Sequence, residues 1–405
     1  MCTAGVQQQH SLKEERGPFS SVITGFFAHI RLAPRMRSQG AALAPRTWAS
    51  LPQPTEKLRA LSALFRMSTS ASSSASSPGA AVVVREGPAD DIAAWADEEC
   101  ERFSQSATGA KTGYTHHLVI AKDRATGAIV GVVQGESLWG GAYVSRLVVD
   151  KAWRRKHGVG RALLASMLES ARDGPAQARV AHVCTLDFEA PRYYPRLGFR
   201  LDHELHGIQR GRSIHYLSLP DAKLRPVPPE EDKHHSAAFA LETLQPLPHD
   251  AATVDGVCTY EDQVVSAAAT TAHTFLNEKF NDYSIEAVGA TSGYSAFALA
   301  ATTPAGVRVG AVTGLAYWGV LVVSSLVVSE THRGEGVGSQ LLNAALKLGA
   351  EKDCSMCVVE TMSFQAPAFY IRNGFTRVGR VGGFRDGVEL LRFSKAIVAH
   401  IYNDK

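Results

Sequence analysis

The alternation of apolar and polar positions along the chain predicts short strands separated by helices. In the first half, alternating or continuous apolar runs predict strands near 117–122, 128–138, 142–149, 180–186 and 213–219, and helical spacing predicts helices near 88–106, 159–172 and 191–197. The second half repeats this order, with strands near 295–301, 307–317, 320–328, 356–361 and 387–394 and helices near 259–280, 337–351 and 367–373. Helices interleaved with strands predict a mixed α/β sheet in each half.

The two halves also repeat each other residue by residue. Trp139-Gly140 matches Trp318-Gly319, and the offset between matching positions stays between 176 and 180 residues along the repeat. A period of this length indicates a duplicated domain rather than a solenoid unit. We therefore expect one domain at 81–220 and a second at 255–397. The Pro-rich segment 221–254 reads as a linker, with one short helix around 235–244.

Composition and charge narrow the class of protein. The 405 residues are 45% hydrophobic and 20% charged, which suits two ordinary globular domains. The net charge of +3 is unevenly spread: residues 1–80 hold nine Lys/Arg, three Glu and no Asp, so the rest of the chain carries −3. A mildly acidic folded part argues against a nucleic-acid partner. Six scattered cysteines include one close pair, Cys354 and Cys357, without the further ligands of a metal site, so we expect reduced thiols and no metal.

Two segments raise the question of targeting and membranes. The leader 1–80 is rich in Arg and Ser and resembles an organelle transit peptide, but it fits a disordered tail equally well. Both a cytoplasmic and a mitochondrial or plastid location therefore stay open. The stretch 309–328 has no charge over 20 residues, which is long enough to cross a bilayer. Glycines interrupt it, and its first-half copy carries Glu136 and Arg146, so we predict two buried strands and no membrane partner.

A glycine-rich turn precedes a helix in each half, as RRKHGVGRALL at 154–164 and THRGEGVGSQLL at 331–342. Glycine leaves backbone N–H groups uncovered, and at a helix start these groups suit a phosphate or diphosphate. Arg155 and Arg333 head the two turns and would add charge. The P-loop ending and the third glycine of the dinucleotide motif are both missing. Taken alone, ordinary helix entry explains the turns equally well.

A second motif follows each turn, as FEAPRYYPRLGF at 188–199 and FQAPAFYIRNGF at 364–375. Phe199 and Phe375 fit a packing role. Each copy also places a tyrosine, Tyr194 or Tyr370, four residues before Gly-Phe. Packing alone does not require a hydroxyl at the same position of both copies.

In this order, the strand, the Arg-x-x-Gly-x-Gly turn, the helix and the Ala-Pro-x-x-Tyr-x-x-x-Gly-Phe motif resemble the GCN5-related N-acetyltransferase (GNAT) superfamily, here as a tandem pair. The FQAP variety is similar to its bacterial small-molecule acetyltransferases. The resemblance implies a fold of class α/β (α+β): two tandem acyl-CoA N-acyltransferase folds, each a mixed, mostly antiparallel sheet flanked by helices. Two central strands of each sheet would splay apart to receive acetyl-CoA, which acts as co-substrate.

The resemblance also implies a set of binding residues. Strand backbone would pair with pantetheine, one strand amide would hold the oxyanion, and the turns would cradle the diphosphate. In the first copy these residues are Leu147, Val148, Val149, Arg155, Lys156, His157, Gly158, Val159, Gly160 and Arg161. In the second copy they are Leu326, Val327, Val328, Arg333, Gly334, Glu335, Gly336, Val337, Gly338 and Ser339.

Tyr194 and Tyr370 would then protonate the departing thiolate, since a phenol of pKa about 10 can supply a proton to a thiolate whose thiol has a pKa of about 8.5. Glu360 is the best-placed carboxylate to deprotonate the amine in the second copy. The matching first-copy residue is Cys184, so Asp187 and Glu136 are the alternatives there, and a water chain can replace any of them.

The implied function is N-acetyl transfer to a primary amine of a small molecule. A protein acetyltransferase acting on lysines or N-termini and a non-catalytic acyl-CoA-binding module are the alternatives. The first turn is one residue longer than the second, which favours the second copy for turnover. The acceptor, the acyl chain length and the oligomeric state stay open.

Overall fold

The computed structural model describes residues 82–220, 238–244 and 267–397, with the backbone of three short strands between 252 and 264. The expected leader and most of the linker lie outside the described residues. The first half forms β1 (Val83–Glu86), α1 (Ala89–Thr108), β2 (Thr115–Asp123), β3 (Ile129–Leu138), β4 (Gly141–Val149), α2 (Val159–Asp173), β5 (Val180–Leu186), α3 (Tyr193–Arg196), β6 (Arg200–Ile208) and β7 (Arg212–Pro220).

The second half repeats this order after four short strands. It forms β8 (Phe239–Leu244), β9 (Ala252–Val254), β10 (Val257–Tyr260), β11 (Gln263–Val264), α4 (Ala267–Val288), β12 (Ser295–Thr302), β13 (Arg308–Tyr317), β14 (Val320–Val328), α5 (Val337–Glu351), β15 (Met356–Met362), α6 (Pro367–Arg372), β16 (Thr376–Val381) and β17 (Leu390–Ala396).

Fourteen of these strands build two large sheets of the same topology, and β9, β10 and β11 form a separate three-stranded sheet. The first sheet has the order β6-β7-β5-β4-β3-β2-β8 and the second the order β16-β17-β15-β14-β13-β12-β1. Within each sheet one central pair is parallel, β4 with β5 and β14 with β15, and the other pairs are antiparallel. The predicted fold class, two mixed and mostly antiparallel sheets flanked by helices, is confirmed.

The two halves exchange their first elements. Strand β1 closes the edge of the second sheet by pairing with β12, and β8 closes the edge of the first sheet by pairing with β2. Helix α1 packs on the second sheet through a cluster of Ile92, Ala96, Ala298, Ala300, Ala311 and Val327. Helix α4 packs on the first sheet through a cluster of Leu118, Ile120, Val132, Val148, Leu244, Ala269, Ala272 and Leu276. Each sheet is therefore covered partly by the other half of the sequence.

The sheets also contact each other directly through the β3–β4 and β13–β14 hairpins. Trp139 and Trp318 occupy left-handed backbone conformations, with φ of 52° and 49°, at the hairpin tips. Their carbonyl oxygens accept hydrogen bonds from the other half, from Arg385 N at 2.9 Å and from Gln209 N at 3.1 Å. The two contacts occupy equivalent positions, so the halves are related by an approximate two-fold arrangement.

The structure corrects several expected elements. The segment expected as a helix around 235–244 contains strand β8, because pairing there satisfies the open edge of β2. Helix α4 begins at Ala267, later than expected. The edge strands β1, β6 and β16 were not predicted, since Val83–Glu86 is only four residues long and Arg200–Ile208 and Thr376–Val381 lack a continuous apolar run. Strands β13 and β14 confirm the two-strand prediction for 309–328, and within the described part of the chain no helix could span a membrane.

The exchange predicts how core truncations spread. Leu276 in α4 is fully buried, and Leu276→Ala should cost about 2–5 kcal/mol. Because α4 covers the first sheet, we expect faster amide hydrogen exchange in β2–β4, although Leu276 lies in the second half of the sequence. Ile92→Ala in α1 is the matched variant and should act on β12–β14. If amide hydrogen exchange became faster only in the sheet formed by the mutated residue's own half, the swapped arrangement of helices α1 and α4 would be contradicted.

Two buried histidines predict acid sensitivity. His117 bonds Ser137 and Ser170 through its two ring nitrogens, at 2.8 and 3.2 Å, and burial lowers its pKa to about 4. Burial, with the nearby Arg392 charge, lowers the pKa of His182 to about 3. Since the unfolded chain binds protons near pH 6.5, the native state loses stability as pH falls below that value, by about 2 kcal/mol per histidine at pH 5.

Urea unfolding at pH 7 and pH 5 measures this loss. His117→Gln replaces the imidazole with an amide, which can still form hydrogen bonds but does not titrate. The difference between the free energies of unfolding at pH 7 and pH 5 should therefore fall by about 2 kcal/mol. An unchanged difference in this variant would show that His117 does not titrate as described.

Candidate functional site

A fork opens in the middle of each sheet. Strands β4 and β5 pair only from Gly141–Val144 to Val180–Val183, and β14 and β15 pair only from Val320–Val323 to Met356–Val359. Beyond these residues the paired strands separate. The second part of β4 and of β14, which contains the predicted pantetheine-binding backbone, therefore lines the fork.

A β-bulge produces each fork. The β3–β4 register shifts between Gln134 and Gly135, and the β13–β14 register shifts between Thr313 and Gly314. An extra residue in one strand bends that strand away from its neighbour. Only glycine fits opposite each bulge, because a Cβ on Gly135 or Gly314 would overlap the carbonyl oxygen of the adjacent strand.

An arginine anchors each turn after the fork. Arg154 donates from Nε to the carbonyl oxygen of Val149 at 2.8 Å, and Arg333 makes the same bond to Val328 at 3.0 Å. The structural equivalent of Arg333 is thus Arg154, which corrects the sequence pairing of Arg333 with Arg155. Arg155 instead takes a left-handed conformation, φ 63°. The additional residue of the first turn displaced the alignment by one position.

The two glycines of each turn have different tasks. Gly158 and Gly336 adopt φ of 68° and 83° directly before α2 and α5, so the turn needs their conformational freedom. Gly160 makes room for an aromatic side chain instead, since a Cβ there would lie 2.9 Å from the Tyr193 hydroxyl oxygen. Gly338 does the same for Phe369 at 3.3 Å.

The start of each helix is suited to an anion. The first N–H groups of α2 and α5 have no partner within their helix, and the helix dipole adds partial positive charge there. Val159 and Val337 turn their side chains into the core, with 2% and 1% exposure, which leaves the backbone to face the turn. A diphosphate fits this arrangement, and the positive charge of an arginine side chain at the turn would strengthen its binding.

The exchanged helices support both turns. The Arg154 guanidinium lies 5.1 Å from the centre of the Tyr283 ring in α4, and the Arg333 guanidinium lies 5.1 Å from the Phe103 ring in α1. Lys279 in α4 also pairs with Asp150 at 3.2 Å. Sequence reasoning missed these contacts, although Phe103 and Tyr283 stand at the 180-residue offset of the repeat.

Tyr194 and Tyr370 lie on the helix side of the two sheets. Both are 6% exposed and belong to the clusters packed against α2 and α5. Their rings contact Phe199 and Phe375 edge to face, at 5.4 and 5.7 Å between centres. Burial raises the pKa of both phenols well above the ordinary value, so both hydroxyls stay protonated at neutral pH.

The residue before Ala-Pro in each motif holds the end of a fork strand. Glu189 Oε2 accepts hydrogen bonds from Leu186 N at 3.0 Å and Thr185 Oγ1 at 3.1 Å. Gln365 Oε1 accepts equivalent bonds from Met362 N and Thr361 Oγ1, at 2.9 and 3.0 Å. Glu189 and Gln365 therefore fix the loops that lead from β5 to α3 and from β15 to α6. The sequence analysis did not assign this role.

The carboxylates considered as bases have different surroundings. Glu360 Oε1 accepts from Arg392 Nε at 2.6 Å and Nη2 at 2.5 Å, and both side chains are 2% exposed. Protonating Glu360 would leave a buried guanidinium without its counter-charge, which weighs against a base role. Asp187 lies 3.8 Å from Arg212. Glu136 is buried. Burial, together with the Glu136 charge, raises the pKa of Tyr114, whereas burial lowers the pKa of Arg146 to about 10 against the opposing effect of that charge.

Residues 114–201 and 294–377 both match the family model described as the acetyltransferase (GNAT) domain. An acetyltransferase of Agrobacterium fabrum is 31% identical over 86 residues, which are 21% of this chain and 63% of that protein. Blasticidin-S acetyltransferase of Streptomyces morookaense is 35% identical over 80 residues, 20% of this chain and 59% of that protein. The chain thus spans about 60% of the length of the curated relatives it matches.

Solved structures with similarity to this chain include acetyltransferases. One from Bacillus cereus is 28% identical and covers 31% of this chain and 91% of its own, with a TM-score of 0.29. A crystal structure from Agrobacterium tumefaciens is 25% identical and covers 34% and 98%, with a TM-score of 0.29. This chain therefore contains two segments in tandem, 114–201 and 294–377, that each match the GNAT domain model.

Proposed function

We propose that the protein is an N-acetyltransferase that moves the acetyl group of acetyl-CoA to a primary amine of a small molecule. The observation that carries this proposal is the presence of the same fork in both sheets. At each fork a helix begins directly after a left-handed glycine, and a buried tyrosine lies on the helix side of the sheet. The relative named for blasticidin-S supports a small acceptor. Acceptance of peptide amines in preference to free amines would favour a protein acetyltransferase.

The first role of the chain in this reaction is to bind acetyl-CoA. The diphosphate would bind at the N–H groups after Gly158 and Gly336, with Arg154 and Arg333 holding the turns in shape. The pantetheine arm would enter the fork, where backbone groups of Leu147–Val149 and Leu326–Val328 provide partners. Preorganised backbone N–H groups at the fork would stabilise the oxyanion of the tetrahedral intermediate.

The second role is proton transfer. The amine nitrogen attacks the thioester carbonyl carbon, the C–N bond forms, and the C–S bond then breaks. Tyr194 or Tyr370 gives its proton to the departing thiolate, the amine proton leaves to solvent, and the phenolate regains a proton from solvent before the next turnover. Burial weakens the phenols as acids, but it also raises the proton affinity of a thiolate released beside them, so the transfer remains feasible.

Calorimetry with acetyl-CoA tests the binding role. We expect two equivalents to bind the wild type and one to bind each of Gly158→Glu and Gly336→Glu, because a carboxylate there repels the diphosphate. Gly306→Glu is the control: Gly306 is also left-handed, φ 82°, but lies in an exposed turn away from both helices. Two equivalents retained in both site variants would overturn the diphosphate assignment.

Tyr→Phe variants test the proton donors. With both domains active, Tyr194→Phe or Tyr370→Phe alone should remove one domain's share of kcat, and the double variant should lower kcat by about 10²–10⁴-fold with unchanged acetyl-CoA affinity. Tyr193→Phe is the matched control, because Phe369 stands at the equivalent position.

The pH dependence is part of the same test. Since the phenol pKa values lie above the ordinary one, the wild-type rate should rise with pH as the amine loses its proton, without a descending limb below about pH 9.5. Full kcat in the double variant would exclude the tyrosines as donors. Absence of transfer across amines and peptides, with acetyl-CoA bound, would favour the binding-module alternative.

A further inference from the structure

Three equivalent positions in each half meet at the interface between the sheets. In the first half they are His203, Tyr216 and Cys184, on the adjacent strands β6, β7 and β5. In the second half they are Gly379, Arg392 and Glu360, on β16, β17 and β15. The Arg392 guanidinium lies 3.7 Å from the centre of the Tyr216 ring, so the two sets are in contact. We call Glu360, Arg392 and Tyr216 the interface cluster.

The interface cluster has unused hydrogen-bonding capacity. Within the described residues, Glu360 Oε2, Arg392 Nη1 and the Tyr216 hydroxyl are buried and have no hydrogen-bond partner. Arg392 and Tyr216 are each 2% exposed. Leaving one such group unbonded is costly, and a purely structural ion pair has no need for three of them together. Three unbonded groups side by side point to a polar ligand.

The cluster lies beside the second fork. Val359 is the last residue of β15 that pairs with β14, and Glu360 follows it. Alternate residues of a strand share one face, and Val358 and Met362 belong to the core between the two sheets, so Glu360 faces that side. Tyr370 belongs to the cluster on the opposite side. A group bound at Glu360 would therefore reach the fork from the face opposite the proposed proton donor.

Gly379 lies between the cluster and the surface. It lines an open groove of about 460 Å³ at the seam of β6 and β16, together with Asp202, Arg377, Val378 and Arg380. A Cβ on Gly379 would lie 3.4 Å from Arg392 Nη1. The equivalent residue in the first half, His203, stacks on Tyr216 at 6.4 Å. Glycine thus places no side chain of its own between Arg392 and the groove, although the Cβ of His203 lies equally close to this position, at 3.4 Å.

We propose that the interface cluster is the acceptor-recognition site of the second domain and that it selects amines carrying a nearby carboxylate, as in an α-amino acid. Glu360 Oε2 accepts a hydrogen bond from the amine, and Arg392 Nη1 donates to the carboxylate. Because Glu360 and Arg392 contact each other through Oε1, Nε and Nη2, a ligand that bonds both of their free atoms carries its amine and its carboxylate close together.

Tyr216 makes this site a joint product of both halves. Its hydroxyl, contributed by the first half, completes a site at the fork of the second half. We assign Tyr216 as a specificity-determining residue for the second domain. This inference rests on the proposed acetyl transfer, so its test must separate acetyl-CoA binding from acceptor recognition.

The experiment uses the full chain with Tyr194→Phe as background, which silences the first domain. Acceptors are the twenty standard amino acids, each compared with the amine that lacks only its carboxylate, such as ethylamine for alanine and 1,5-diaminopentane for lysine. We expect at least one amino acid to be acetylated with a kcat/KM about 10–100-fold above its analogue, as charge-assisted hydrogen bonds to a carboxylate provide. Tyr216→Phe should raise the amino-acid KM about 10-fold and leave acetyl-CoA binding unchanged.

Two further variants sharpen this test. Gly379→Ala should raise the amino-acid KM severalfold by narrowing the route to Arg392, while its backbone conformation tolerates alanine. Tyr143→Phe is the matched control, because this phenol is buried like that of Tyr216 but already bonds Cys184 Sγ at 3.2 Å. Its amino-acid KM should stay within about twofold of the background, as expected for a residue outside the site.

Each failure has a distinct signature. If calorimetry detects no acetyl-CoA binding, the proposed function fails and this inference falls with it. If acetyl-CoA binds but amino acids and their analogues react equally, or Tyr216→Phe leaves KM unchanged, only the acceptor site is overturned. If acetyl-CoA binds, no amino acid is acetylated and none raises the melting temperature, the acceptor site is also overturned.

Discussion

The mutual covering of the two sheets is the constraint on which the rest of the structure depends. A sheet with an apolar face and an open edge must be covered, and here each half supplies the first helix and edge strand of the other. The two GNAT domains are consequently not independent modules. Even the glycine turns depend on this exchange, because Arg154 and Arg333 pack on aromatic residues of the exchanged helices.

The fork is the second constraint, and it divides each sheet into two chemical sides. The bulges opposite Gly135 and Gly314 bend one central strand away from its neighbour. The helix side then holds the glycine turn and the buried tyrosine, and the opposite side faces the other half of the protein. The proposed coenzyme site and the proposed acceptor site are thereby on opposite sides of the sheet, and the proposed acceptor site lies at the interface between the two halves.

The two halves are alike on the helix side of their sheets and differ on the side that faces the other half. The left-handed glycines, the tyrosines and the Glu189/Gln365 brace are retained in both copies. At the interface the two copies differ. The first copy has His203, Tyr216 and Cys184 where the second copy has Gly379, Arg392 and Glu360. We infer from this pattern that both copies share one transfer chemistry and that only the second copy recognises acceptors through a buried ion pair.

The sequence by itself determined the strand and helix order, the duplication, the glycine turns and the tyrosines, because each of these is encoded in spacings of a few residues. It did not reveal the edge strands β6, β8 and β16, which carry little apolar signal, or the alignment of Arg154 with Arg333, which an extra residue obscured. Tertiary structure alone decided which sheet each first helix covers and which residue pairs with Glu360. Two similar sheets offer nearly the same local pattern to a helix, so only packing of the whole chain distinguishes between them.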